Sequence, residues 1–208
     1  MPSINKGKWG KYHTKENKRV FFYPNEWLKL ISLCKGKQKV SFTVLINTGA
    51  RVNEARHIKV SDIDFSRNNI ILRVTKVRAK KKETKSEPRI LPISSKFSKY
   101  LKKIIKEYKL TSDNYLPMLK NAGLNIALKK LVEQVGRKDF EDFSVHNIRK
   151  TMECYLVALD IDSLKIIKHM GHTLAVAAQS YVSPDIFTYD DKKMIREILG
   201  DLYYRGGL

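Results

Sequence analysis

Four separated stretches of the sequence each carry a side chain able to engage a phosphate. The first is Thr48-Gly49-Ala50-Arg51-Val52-Asn53-Glu54, where a glycine can break the chain sharply and leave Arg51 at the end of an element. A guanidinium is a planar, permanently charged fork that clamps two oxygens of one phosphate. Glu54, three residues on, is near enough to hold that guanidinium or a neighbouring histidine. The second is Lys80-Lys81-Lys82-Glu83-Thr84-Lys85, whose ammonium groups on long stems could protonate a departing alkoxide. The third is His146-Asn147-Ile148-Arg149. On a helix this spacing puts His146 and Arg149 on one face, with Cβ atoms about 5–6 Å apart. The fourth is Gly171-His172-Thr173, with Tyr181 nine residues after the histidine.

Taken singly, each stretch has an ordinary alternative. Arg51 and Glu54 fit a surface salt bridge, the lysines a solvated turn, and His146 with Arg149 a surface pair. Tyr181 alone says as little as Tyr189, Tyr203 or Tyr204, since tyrosines at helical spacing commonly serve cores and interfaces. The combination and its order carry the weight.

The elements that must position these groups follow from periodicity and punctuation. Val20-Phe21-Phe22-Tyr23 opens the folded part, and Pro24 begins a helix with Trp27, Leu28, Leu30, Ile31 and Cys34 that Gly36 ends. A second helix is expected over 40–47, stopped by Gly49, and a third from near Asn53 with Ala55 and Ile58 packed inward. Residues 70–74 and 89–93 read as paired strands around the lysine-rich turn. Helices are expected over 97–108, 124–135 and 145–159, the last capped by the Ser144 hydroxyl. Ser163 is expected to cap a short helix ending at Gly171, and another short helix to carry Tyr181. A final amphipathic helix over 190–203 has Met194, Ile195, Ile198, Leu199 and Leu202 as its apolar stripe. The sum is a mostly α fold with a small antiparallel β-sheet and no internal repeat.

Bulk properties narrow the partner. With 41 Lys+Arg against 21 Asp+Glu the chain carries a net charge of +20, a field that favours a polyanion, DNA or RNA first. A basic ribosomal protein would share that charge. A membrane-surface role is disfavoured, because no segment joins a basic face to a broad apolar one. No run approaches the roughly 18–20 apolar residues that cross a bilayer, and the N-terminus lacks the apolar core of a signal peptide. Cys34 and Cys154 stand alone, which fits a reduced, cytoplasmic setting. Residues 1–19 set Lys6, Lys8, Lys11, Lys15, Lys18 and Arg19 against Glu16, and read as a flexible basic arm or linker remnant. Such an arm could track DNA or merely solubilise the terminus. Asp62, Asp64 and Glu54 are the nearest thing to a carboxylate cluster and read as structural.

Together, Thr48 to Glu54, His146 to Arg149, Gly171-His172 and Tyr181 resemble the box motifs of the tyrosine recombinase and integrase family. The flanks agree: Phe21-Phe22-Tyr23-Pro24-Asn25-Glu26-Trp27 is similar to the opening of that family's catalytic domain, and Val60-Ser61-Asp62-Ile63-Asp64 to the stretch after its first arginine helix. The resemblance runs over roughly residues 20–185 and implies the tyrosine recombinase catalytic-domain fold over 20–187. It leaves 188–208 as a C-terminal helix and tail able to dock on another subunit. It implies a site-specific recombinase or integrase of a mobile genetic element, working as a homo-multimer, a tetramer, on double-stranded DNA in the cytoplasm or nucleoid of a host. A type IB topoisomerase or telomere resolvase shares this chemistry, and a non-catalytic DNA-binding protein could share the fold.

The resemblance also implies roles. Arg51 and Arg149 neutralise the phosphate, Tyr181 attacks it, His146 is the general base, and His172 bonds a phosphate oxygen. Counting back from Arg89-Ile90-Leu91-Pro92 favours Lys85 as the acid, with Lys82 as the alternative. Lys6, Lys8, Lys11, Lys80 and Lys81 would contact backbone phosphates. No metal, ATP or other cofactor is implied. The family's separate N-terminal DNA-clamping domain has no counterpart in the sequence, which is read either as a minimal form or as part of a longer chain.

Overall fold

The computed structural model describes residues 20–73, 88–171 and 186–204, together with the backbone of 3–6 and 12–15. His172, Tyr181, Lys80, Lys81, Lys82, Lys85, Lys8 and Lys11 lie outside the described residues, as does the short helix expected around Tyr181. Of Lys6 only the backbone is described, in β1 (Ser3–Lys6).

Two helices make the centre. α2 (Gly36–Thr48) buries every residue from Val44 to Thr48 together with Val40, Ser41 and Phe42. α6 (Val145–Ala158) buries Ile148, Met152, Tyr155 and Leu156 along with most of its polar residues. A helix enclosed on all sides belongs in a core rather than on a surface, and these two pack on each other. Around them, α1 (Pro24–Leu33) lies against α5 (Asn121–Val135) and α8 (Tyr189–Leu199), while α7 (Ser163–Met170) lies against α6. α3 (Val52–Arg56) and α4 (Ser95–Glu107) complete the helices that bear on the site.

The segment before α1 is fastened to α6. The Phe22 N–H donates to Thr151 Oγ1 (3.0 Å), the Tyr155 hydroxyl donates to the Phe22 carbonyl (3.0 Å), and Asn147 Nδ2 donates to the Val20 carbonyl (2.9 Å). Phe22 itself stacks near Phe143, with ring centroids 4.5 Å apart. These buried polar bonds fix the helix that carries Arg149, because breaking any one would strand a desolvated partner.

β3 (Ile63–Asp64), β4 (Asn69–Leu72) and β5 (Arg89–Pro92) form one antiparallel sheet in that order. Ile70, Leu72 and Leu91 point to the core, whereas Ile71 and Ile90, opposite each other in register, face outward. The two expected strands are therefore paired, with one strand added. At two residues β3 is too short to show alternation. Asp62, buried before it, accepts from the Lys59 N–H (2.9 Å) and Arg73 Nε (2.7 Å), and Asp64 accepts from Ser66 and Arg67. Both carboxylates organise this sheet edge.

Several boundaries differ from the sequence reading. α1 ends at Leu33, and Gly36 is the first residue of α2 rather than a terminator. Lys37 and Lys39 are exposed in its first turn and Gln38 is half-buried, so the apolar pattern begins only at Val40. Asp162, not Ser163, caps α7 by accepting the Lys165 N–H. Ser144 is the N-cap of α6, but its hydroxyl donates to Asn147 Oδ1 (2.8 Å) instead of accepting a backbone N–H. The final helix stops at Leu199, and Leu202 is buried from the turn that follows Gly200. Its stripe packs within the chain, mainly on α1. The basic arm is not irregular throughout: β1 and β2 (Tyr12–Lys15) pair as an antiparallel ribbon.

Candidate active site

The site grows from the end of α2. Gly49 takes φ +56°, a left-handed conformation that stops the helix, and its N–H still reaches the Leu45 carbonyl (2.9 Å). A Cβ there would stand 2.5 Å from Met152 Sδ and 2.9 Å from Met170 Sδ, so the backbone favours glycine and a side chain would also have to displace two methionines. The chain then turns to make Arg51 the N-cap of α3. Glu54, in the first turn of that helix, accepts the Arg51 N–H (2.9 Å) and Arg51 Nη1 (3.0 Å).

Glu54 is buried, and it is claimed from a second side. Arg89, at the start of β5, grips it with two bonds, Nη1 to Oε1 at 3.0 Å and Nη2 to Oε2 at 2.8 Å. Burial alone would raise the Glu54 pKa. The hydrogen bonds from Arg89 and the Arg51 backbone outweigh it and hold the carboxyl at about 2, fully ionised. Arg89 Nε also bonds the His169 carbonyl (3.3 Å), and its guanidinium passes Gly171 so closely that a Cβ there would lie 3.2 Å from Arg89 Cζ. Gly171, at φ +63°, is the C-cap of α7.

Arg149 is the deepest cation of the site, only 3% exposed. Its Nη1 donates to the Gly49 carbonyl (2.5 Å) and its Nη2 to the Met170 carbonyl. Those two carbonyls belong to the glycine-capped ends of α2 and α7, so one guanidinium ties together the two turns that lead to Arg51 and to His172. Among the described residues it forms no ion pair. Burial first, then the neighbouring positive charges of Arg51 and Arg89, push its pKa down to about 10. It therefore stays charged at neutral pH, desolvated and held by neutral dipoles, which is the state in which an arriving anion gains most.

The structure thus brings Arg51, Glu54 and Arg149 together. His146 sits one turn before Arg149 on α6 and is exposed, whereas Arg149 is buried.

Two residues of the site were not picked out by the sequence reading. Arg89 shares the inward face of β5 with Leu91, two residues on. A charge on an inward strand position was the available signal. His169 is 2% exposed and lies between Ile166 and Met170 on the buried side of α7. Its signal was a histidine inside an apolar helical stripe. Nε2 faces the Thr48 carbonyl (3.1 Å) and Nδ1 the Tyr203 hydroxyl (2.9 Å). Since a carbonyl only accepts, Nε2 carries the proton and Nδ1 accepts from Tyr203. Burial lowers the His169 pKa to about 3, so the ring is neutral. Among the described residues no group of His, Cys, Asp and Glu converges as a metal would require, and no helix is long and apolar enough to cross a membrane.

The chain is similar to several known proteins. Tyrosine recombinase XerA of Saccharolobus solfataricus is 30% identical over 154 residues, 74% of this chain and 48% of that protein. A probable integrase/recombinase of Acholeplasma phage L2 is 30% identical over 152 residues, 66% of this chain and 50% of that protein. The chain thus spans about half the length of these relatives. Among solved structures, the Tn1549 transposon integrase in complex with transposon right-end DNA superposes with a TM-score of 0.64 at 18% identity, covering 89% of this chain and 68% of that one. A XerA recombinase crystal structure gives 0.62 at 18% identity, covering 91% and 66%. At such identity the structural likeness speaks for the fold, and the fold is that of tyrosine recombinase catalytic domains. Residues 20–186 match the phage integrase family, and the chain belongs to that family of tyrosine recombinases.

Proposed function

We propose that this chain is the catalytic part of a site-specific recombinase that cuts and rejoins the DNA of a mobile genetic element through a covalent 3′-phosphotyrosyl bond at Tyr181. The observation that carries the reading is Arg149. A buried guanidinium that bonds only main-chain carbonyls among the described residues, with Arg51 on the adjoining turn, is a site prepared for a phosphate. DNA-bound relatives, the Tn1549 integrase among them, support duplex DNA as the partner.

In the proposed reaction Tyr181 Oη loses its proton to His146 and bonds to phosphorus. The bond from phosphorus to the 5′ oxygen breaks, and Lys85, or Lys82 in its place, protonates that oxygen. A phenol has an ordinary pKa near 10, so nearby cations must favour the phenolate. Arg51 and Arg149 neutralise the non-bridging oxygens as charge builds, with His172 bonding one of them. A single preorganised donor of this kind is worth about 3–4 kcal/mol. The phosphodiester energy is kept in the tyrosyl ester, so a free 5′ hydroxyl can reverse the step without ATP, and the arginines take the electrostatic part that a metal plays elsewhere. Lys6, Lys8, Lys11, Lys80 and Lys81 would add salt-sensitive contacts to backbone phosphates.

Recombination joins two duplexes, so the reading includes a homo-multimer, a tetramer, on DNA. Ile195, Leu199 and Leu202 of the α8 stripe are already buried within the chain, so docking by residues 188–208 on a neighbour would use the rest of that segment's surface. The test is adduct trapping on nicked duplexes tiled across the DNA that flanks the chain's own gene. Wild type should give a covalent protein–DNA band on a discrete site, and Tyr181→Phe none. A band that survives Tyr181→Phe overturns the assignment. Relaxation of supercoiled plasmid lacking any such site would move the chain to the topoisomerase reading. Salt-sensitive binding without cleavage would leave a DNA-binding protein.

A further inference from the structure

We infer that His169, held by Tyr203, is a positioning residue for the reaction, which couples the C-terminal segment of the chain to the turn that presents Arg51. This rests on the functional reading above, but the link itself is a matter of geometry.

The Thr48 carbonyl belongs to the last turn of α2, where helix carbonyls run out of intrahelical donors. His169 Nε2 supplies that donor across 3.1 Å. The next carbonyl along, that of Gly49, is taken by Arg149. On the facing helix end the pattern repeats: the His169 carbonyl receives Arg89 and the Met170 carbonyl receives Arg149. The turn before Arg51 and the end of α7 are therefore riveted twice, once by Arg149 and once by the His169 ring. Arg149 is also needed for the phosphate. The histidine is free of that duty, and is the rivet that can hold the spacing while Arg149 engages a ligand.

The other ring nitrogen is claimed from far along the chain. Tyr203 follows α8 and reaches His169 with its hydroxyl at 2.9 Å and its ring edge-on, centroids 5.7 Å apart. Tyr203 adopts φ +57°, a left-handed backbone that costs a non-glycine residue free energy and is found where surrounding contacts enforce it. The contacts are present. Asp201 accepts both the N–H (2.7 Å) and hydroxyl (2.6 Å) of Ser95, Leu202 is buried, and the Leu202 carbonyl accepts from Arg196 (3.0 Å). The segment is thus docked independently of the phenol oxygen, whose bond serves to fix the orientation and tautomer of His169.

The experiment uses the full chain with Tyr203→Phe, His169→Gln and His169→Leu. Tyr203→Phe keeps the ring and the docking and deletes one hydrogen bond, so folding is not at issue. A glutamine amide can still donate to the Thr48 carbonyl, whereas leucine fills the space and donates nothing. Two readouts are taken: deuterium exchange at the Gly49 and Ala50 amides without DNA, and the single-turnover rate of adduct formation on the pre-bound nicked duplex alongside its Kd. Expected are faster exchange in Tyr203→Phe and His169→Leu, near wild-type exchange in His169→Gln, and cleavage slowed about 3- to 10-fold in Tyr203→Phe. Cleavage should slow about 30- to 100-fold in His169→Leu, with substantial rescue in His169→Gln and Kd within twofold throughout. Wild-type cleavage by His169→Leu, or no rescue by glutamine, overturns the inference. If wild type itself forms no adduct, the functional reading falls. The exchange data then decide the link alone, with unchanged exchange in Tyr203→Phe refuting it.

Discussion

Arg137 and Arg149 are both drawn into the protein, and their surroundings treat the charge in opposite ways. Arg137, after α5, bonds Asp139 with Nε (2.8 Å) and Nη2 (2.6 Å) and Glu26 with Nη1 (3.0 Å), and lies over the Phe143 ring at 4.9 Å. The bonds to Asp139, joined by those to Glu26, raise its pKa above the ordinary arginine value. Arg149 meets carbonyls only, among the described residues, and its pKa falls. The first cation is neutralised and closes a structural joint between α1 and the loop before α6. The second has lost its water, gained only neutral partners, and faces two other guanidiniums. Depth alone does not separate a structural arginine from one that binds an anion; the company it keeps does.

The comparison breaks first at Arg149. Arg149→Met keeps the bulk and removes the buried charge. Cleavage of the nicked duplex should fall by about a thousandfold or more, roughly 4 kcal/mol of lost stabilisation, while stability changes by only about 1–2 kcal/mol, because removing an unneutralised buried cation offsets much of the loss of its bonds to the Gly49 and Met170 carbonyls. Cleavage within about threefold of wild type in Arg149→Met would make Arg149 another Arg137. The mirror experiment is Arg137→Met. It should leave cleavage within about threefold and lower stability by about 1–3 kcal/mol, since Glu26 and Asp139 lose their partner while half-buried. Urea denaturation of the two variants side by side reads the contrast.

A smaller effect sharpens it through pH. His169 has a folded pKa of about 3, below its ordinary 6.5. Between those values the unfolded chain binds a proton that the folded chain refuses, so stability is full above pH 6.5 and declines as pH falls toward 3. The decline should reach about 2 kcal/mol by pH 5. Glu54, with a folded pKa of about 2 against an ordinary 4.5, adds a second loss only as pH drops from about 4.5 to 2. Subtracting His169→Gln from wild type between pH 7 and 5 isolates the first slope. A flat difference would mean that the histidine is not held neutral.

The helices were legible because their apolar spacing is strong: the cores of α4, α5 and α6 fall within a few residues of the expected spans. Their ends were less so, since ends are set by capping atoms. Asp162 rather than Ser163 closes α7, and Asn147 rather than Ser144 accepts the hydrogen bond at the start of α6. At the site, Arg51, Glu54, His146 and Arg149 stood out because they sit in short, ordered motifs. Arg89 and His169 did not, because their importance lies in partners 35 and 121 positions away, Glu54 and the Thr48 carbonyl. No local pattern reports a contact of that range. What the sequence does carry is the anomaly each leaves behind, a charge on an inward strand face and a histidine in an apolar stripe.

The most direct test of the account is to identify the residue that holds the DNA. Wild-type protein is reacted with the nicked duplex, the adduct is digested with trypsin and nuclease, and the nucleotide-bearing peptide is sequenced by mass spectrometry. The phosphoryl group should sit on the phenol oxygen of Tyr181, joined to a 3′ nucleotide. Attachment at any other residue, or strand cleavage that leaves no nucleotide on the protein, would contradict it.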